Sequence, residues 1–186
     1  MARLAAAALA LIWVALAPAQ AAGDPGGKPA IPVWKPVGSW IVLLLPLARG
    51  GMSCTALTRM IPTAGGLYSV GFALSPTSTH FYLNGSAMPK PAPRMVRLAV
   101  DGRDVAELKV LLHERFANGE QLLMADLPGA MLARDILPAM VRGRALQVTA
   151  GGQHYTISIA EFGTVVSDLQ QCAMVALGSL PRLSER

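Results

Sequence analysis

Residues 95–112 read MVRLAVDGRDVAELKVLL, and this stretch decides the fold. Val96, Leu98 and Val100 alternate with Met95, Arg97 and Ala99, the period of two that turns apolar side chains to one face of a strand. Asp101-Gly102 then interrupts the pattern with a pair suited to a type I′ turn, in which both central residues need positive φ. Val105 to Leu112 supplies the returning strand. Three more pairs of this kind punctuate the chain: Asn84-Gly85, Asn118-Gly119 and Gly151-Gly152. Tyr68 to Leu74 runs toward Phe81-Tyr82-Leu83. Phe116 faces Leu122-Leu123-Met124, and Ala145 to Thr149 faces Tyr155 to Ile159. The spacing predicts a mainly β protein, an antiparallel meander folded into a sandwich or partly closed barrel. Upstream, Trp40 to Leu45 is a continuous apolar run between Gly38 and Pro46, which suits a buried strand and is too short to span a membrane.

Two segments break the two-residue period. Asp126-Leu127-Pro128 predicts a helix start, with Asp126 as cap and Pro128 in the first turn. Met131, Leu132, Ile136 and Leu137 follow at helical spacing. Pro138 ends or kinks this helix, and Met140-Val141 makes one more turn before Gly143. A second helix is expected from Thr164 to about Leu177. There Val165, Val166, Leu169, Cys172, Ala173, Ala176 and Leu177 trace one apolar face.

The chain begins with an address. Arg3 is followed by the uncharged apolar run Leu4 to Ala17, then Pro18 and the small-residue triplet Ala19-Gln20-Ala21, the layout of a secretory signal peptide. As a helix that run reaches about 21 Å, less than the roughly 30 Å hydrocarbon core. Residues 1–21 are therefore expected to be removed, with the cut after Ala21 and Ala19 as the alternative, leaving no stable membrane span. Residues 22–33 form a Pro/Gly-rich leader with little order expected, 34–177 a single β-rich domain, and 178–186 a frayed tail. The expected location is periplasmic or secreted.

Composition narrows the function classes. The formal charge is +5, falling to +4 once Arg3 is lost, and its basic residues are scattered rather than run together. Scattered charge on an exported chain argues against nucleic acid as a partner. Cys54 and Cys172 are the two cysteines, and an even count in an oxidising compartment predicts a disulfide. Two reactive thiols are the weaker reading, because no Cys-x-x-Cys is present.

The ingredients of common chemistries are missing as motifs. Gly51-Met52-Ser53-Cys54 and Gly66-Leu67-Tyr68-Ser69-Val70-Gly71 both fail as a serine-hydrolase elbow. His80, His113 and His154 are far apart, each at a strand position, and none lies in a zinc-ligand pattern. His113 and Glu114 are neighbours on a strand and so point to opposite faces. Asp101-x-x-Asp104 lacks the ligands of a calcium loop. No glycine-rich phosphate loop follows a strand. Met52, Met60, Met88, Met95, Met124, Met131, Met140 and Met174 have no short repeat of the kind that would gather Cu(I), and read as core filling.

In order, the chain shows a signal peptide, an early Trp34 or Trp40, Cys54 in the first strands and Asp101-Gly102 in mid-chain. A helix-then-strand unit from Leu127 to Thr149 comes next, and the terminal helix Gly163 to Cys172 closes the series. This layout resembles the invasion-associated locus B family of small exported bacterial proteins over about residues 34–177. It departs from the family in having one early cysteine where further ones are expected. The resemblance implies a non-catalytic periplasmic β-domain linked to the cell envelope and to host-cell interaction, and it supplies no functional residues.

The expected function is thus a non-catalytic exported binding or accessory protein whose partner is a protein or envelope component. No catalytic, cofactor or metal residue is assigned. The candidate surface is the aromatic set Trp34, Trp40, Tyr68, Phe81 and Tyr82, although ordinary core is the preferred reading of these residues, because most large aromatics are buried. An envelope enzyme would need two of the three histidines and a carboxylate to converge in one pocket. A membrane-anchored structural protein would need the signal segment retained.

Overall fold

Eleven strands and two helical segments are built from the described residues, 36–46, 51–86, 88 and 91–177, in this computed structural model. The signal segment with Ala19 and Ala21, the leader, Trp34 and the tail lie outside those residues. The strands are β1 (Pro36–Val37), β2 (Trp40–Pro46), β3 (Met52–Thr58), β4 (Ile61–Thr63), β5 (Gly66–Leu74), β6 (Thr79–Gly85), β7 (Met95–Val100), β8 (Arg103–Arg115), β9 (Gln121–Asp126), β10 (Ala145–Ala150) and β11 (Gln153–Ser158). All pair antiparallel in one connected sheet, in the order β1-β2-β3-β5-β6-β9-β8-β7-β10-β11, with β4 on β5.

β8 folds this sheet in two. Its residues 103–109 pair with β7 and its residues 110–115 with β9, with an irregular register between Val110 and Leu112. A bulge bends and twists a strand, so β8 passes from one layer to the other. Trp40, Phe72, Phe81, Leu83 and Leu123 of the first layer share the core with Val96, Leu98, Leu108, Leu146, Val148 and Ile157 of the second. The sheet does not close into a barrel. Instead Trp40 Nε1 donates to the Ser158 carbonyl at 3.1 Å, and the Tyr68 hydroxyl donates to the Thr156 carbonyl at 2.8 Å. These side chains tie β2 and β5 to the last strand where ladder bonds are missing.

Two of the four expected two-residue turns form as read, and a third pair lies in a longer loop. Asp101 and Gly102 have φ of 48° and 80°, and Gly151 and Gly152 have 54° and 78°, as type I′ geometry requires. Gly119, at φ 86°, ends a loop in which the Asn118 side chain accepts from the Glu120 N–H. Asn84-Gly85 is not a turn. Both residues lie in β6 between β5 and β9, and the β5–β6 link is Ser75 to Ser78, closed by the Ser75 side chain and backbone. Gly85 is needed for another reason: at φ 144° a Cβ here would strike the Leu67 carbonyl. Nor is the path a pure meander. β6 is followed in space by β9, while β7, next in the chain, lies in the second layer between β8 and β10.

The mid-chain helix runs as α1 (Gly129–Met131), a π-helical turn (Leu132–Ile136) and α2 (Leu137–Arg142). Pro138 does not end it. The Leu137 N–H donates to the Leu132 carbonyl, five residues back, and this wider turn accommodates a residue that lacks an N–H. Asp126 does not cap the helix, since it is the last residue of β9, opposite His80, and the cap position is Pro128. α3 (Phe162–Leu177) buries Phe162, Val165, Leu169 and Ala173. Its Cys172 is bonded to Cys54 of β3, with 5.9 Å between their Cα atoms, so the expected disulfide is present. No helix among the described residues is long and apolar enough to cross a membrane.

Candidate functional site

Strand alternation assembles one polar face. Val96, Leu98 and Val100 of β7, Leu146, Val148 and Ala150 of β10, and Tyr155 and Ile157 of β11 point inward and are buried. The residues between them must therefore point outward from the second layer. Register then sets two parallel rows across four strands. One is Glu107–Arg97–Thr149–His154, and the next is Asp104–Ala99–Gln147–Thr156. Ala99, with only a methyl group among longer neighbours, leaves a shallow recess of about 380 Å³ bordered by Arg97, Asp104, Gln147, Thr149, His154 and Thr156.

Hydrogen bonds fix three of these side chains. The Gly102 N–H donates to Gln147 Oε1 at 2.9 Å, which leaves the amide NH2 of Gln147 as a donor. Thr149 Oγ1 and His154 Nδ1 are 3.1 Å apart. Asp101 anchors the rim, its carboxylate accepting from the Arg144 and Ala145 N–H groups. Arg97 faces Glu107 in register but forms no ion pair with it. Among the described residues the single ion pair within 4.0 Å joins Arg134 and Asp135.

The other histidines lie elsewhere. His80 is on the outer face of the first layer, in register with Asp126. Burial pushes its pKa below 6.5, and the Asp126 charge offsets part of that shift. Its Nδ1 is buried without a hydrogen-bond partner. His113 is in register with inward-facing Leu123, whereas its neighbour Glu114 is in register with Leu122, so the two point to opposite faces. The structure thus brings no two histidines together. No group of three or more His, Cys, Asp or Glu that would hold a metal occurs among the described residues.

The aromatic set does not form a surface. Trp40, Tyr68 and Phe81 are 2%, 3% and 0% exposed and belong to the core. Trp40 packs on Phe72 and Phe162, and Tyr68 on Tyr155 with ring centroids 4.8 Å apart. Phe81 and Tyr82 are consecutive on β6 and so face opposite sides. Only Tyr82 of the described members reaches the outer face, half-buried. Of the methionines expected to fill the core, Met88 and Met140 are buried there, while Met60, Met95 and Met174 are exposed. The recess itself was missed as a site. Its signal is the outward half of the alternation, Arg97-x-Ala99, Gln147-x-Thr149 and His154-x-Thr156, polar at every position except one small residue.

Fold and recess together define a disulfide-stapled, two-layered β-domain with a preorganised polar face. No protein-family model, curated protein or solved structure matches the chain.

Proposed function

We propose that this chain is a non-catalytic binding or accessory protein, exported to the periplasm or beyond, that acts by surface complementarity on a protein or envelope component. The observation that carries this reading is the Cys54–Cys172 bond, which ties the last helix to β3 across 118 residues. Structural disulfides persist in oxidising compartments and are rare in the cytosol. The apolar run before Ala19-Gln20-Ala21 and the layout resembling invasion-associated locus B proteins support the same address.

The test is intact mass with N-terminal sequencing of protein recovered from the envelope fraction, alkylated without reduction. A start at Ala22 with both cysteines resisting alkylation is the expected result. A retained Met1 or two alkylated thiols overturns the reading of an exported, disulfide-bonded chain, the first in favour of a membrane-anchored protein and the second in favour of reactive thiols.

A further inference from the structure

We propose that the recess over Ala99 takes a neutral, hydroxyl-rich saccharide unit. This rests on the binding-domain reading and names its ligand class. The lining offers donors and acceptors side by side. Arg97 and the Gln147 NH2 donate, the Asp104 carboxylate accepts, and the Thr149 and Thr156 hydroxyls do both. Sugar hydroxyls also donate and accept, so planar charged and amide groups next to threonine hydroxyls match them. An oxyanion fits less well. Asp104 borders the recess and Glu107 stands on the same strand opposite Arg97, so a second negative charge would enter beside a carboxylate. An apolar ligand has only the Ala99 methyl to rest on, because the Tyr155 ring packs inward on Tyr68. Preorganisation favours binding, since Gln147 is held by Gly102 and His154 is paired with Thr149 before any ligand arrives. Envelope polysaccharides and host glycans share this chemistry.

The experiment is a 1H–15N NMR titration of the mature, oxidised chain with N,N′-diacetylchitobiose, with maltotriose, and with inorganic phosphate. The two sugars separate N-acetylated from plain glucose units. Saturable shifts confined to the amides of Ala99, Gly102, Gln147, Thr149 and Thr156 are expected with at least one saccharide, and none with phosphate. Asp104→Asn is expected to weaken saccharide binding about tenfold or more, as loss of a charged hydrogen bond implies. Asp104 is exposed at the rim, so the variant should keep the wild-type amide spectrum elsewhere. Absence of saturable shifts with both sugars overturns the proposal. So does phosphate binding at the same amides that tightens in Asp104→Asn, which would assign an oxyanion site. A chain starting at Ala22 that binds neither sugar keeps the export reading and loses this ligand. A chain with free thiols overturns the export reading without altering the titration.

Discussion

Removing the Cys54–Cys172 bond by the double substitution Cys54→Ala, Cys172→Ala is expected to cost about 5 kcal/mol. The bond joins positions 118 apart. Closing a loop of that length removes about 4–5 kcal/mol of entropy from the unfolded chain. Cys54 is fully buried, so deleting its sulfur also leaves a small void, worth about a further 1 kcal/mol at most. The helix itself should stay docked, because Phe162, Val165, Leu169 and Ala173 remain buried against the core. Urea denaturation followed by far-UV circular dichroism and tryptophan emission measures the loss, since Trp40 packs on Phe162 of α3 with ring centroids 4.8 Å apart. At a slope of about 2 kcal/mol per molar urea the midpoint should fall by about 2–3 M. The slope should also rise, because the unlinked chain exposes more surface when unfolded. A midpoint shift below about 0.5 M with an unchanged slope would refute the reasoning, for it would mean that the bond constrains little in the unfolded chain.

Two glycines with positive φ should respond differently to alanine. Gly85→Ala is expected to cost about 2–4 kcal/mol, because its Cβ meets the Leu67 carbonyl at φ 144°. Gly119→Ala, at φ 86° with open space around the new methyl, should cost only about 1–2 kcal/mol. Thermal or urea melts that rank them the other way would contradict the packing at β5–β6. Tyr68→Phe should lose about 1 kcal/mol and speed hydrogen exchange in β11, since it removes the donor to the Thr156 carbonyl. Unchanged exchange would show that the tie is dispensable. Burial raises the pKa of all three tyrosines above 10, that of Tyr155 to about 12. The folded values lie above the unfolded one, so their contribution to stability is complete below pH 10 and fades as pH rises toward 12. Ultraviolet titration of the folded protein should therefore show no tyrosine ionising with a midpoint at 10, and melting temperatures should drop over that window.

How much of this fold was legible depended on whether a local signal matched a local cause. Asp101-Gly102 and Gly151-Gly152 were read correctly because a type I′ turn is decided by the φ values of its own two residues. Asn84-Gly85 carries the same signature and misleads, because the demand on Gly85 comes from the Leu67 carbonyl of a neighbouring strand, which no local pattern reveals. At Pro138 the sequence left two outcomes open, an end or a kink, and the helix continues to Arg142. A proline breaks the ordinary helical bond, but a π-turn upstream absorbs the defect while Leu132, Ile136 and Met140 keep the segment seated in the core. The bond between Cys54 and Cys172 was legible from the even cysteine count and the compartment expected from the N-terminal sequence. That β6 neighbours β9 rather than β7 was not, since strand order is settled by which faces the two layers bury.

The same contrast explains the site. Aromatic residues attract attention in a sequence, yet Trp40, Tyr68 and Phe81 fall on the inward parity of β2, β5 and β6, where their apolar area stabilises the core. Two of them also satisfy carbonyls of β11. This follows from a sheet that folds over without closing, which leaves Thr156 and Ser158 with carbonyls that only side chains reach. The opposite parity of β7, β10 and β11 receives what the core rejects, Arg97, Gln147, Thr149, His154 and Thr156. Ala99 alone makes that polar face concave. Ala99→Gln would fill the recess without touching the inward residues. It is therefore expected to abolish saccharide shifts while leaving the melting temperature within about 2 °C, a change of under about 0.5 kcal/mol. Loss of stability instead would mean that Ala99 is fixed by packing at the β7–β8 irregularity rather than by what the recess holds.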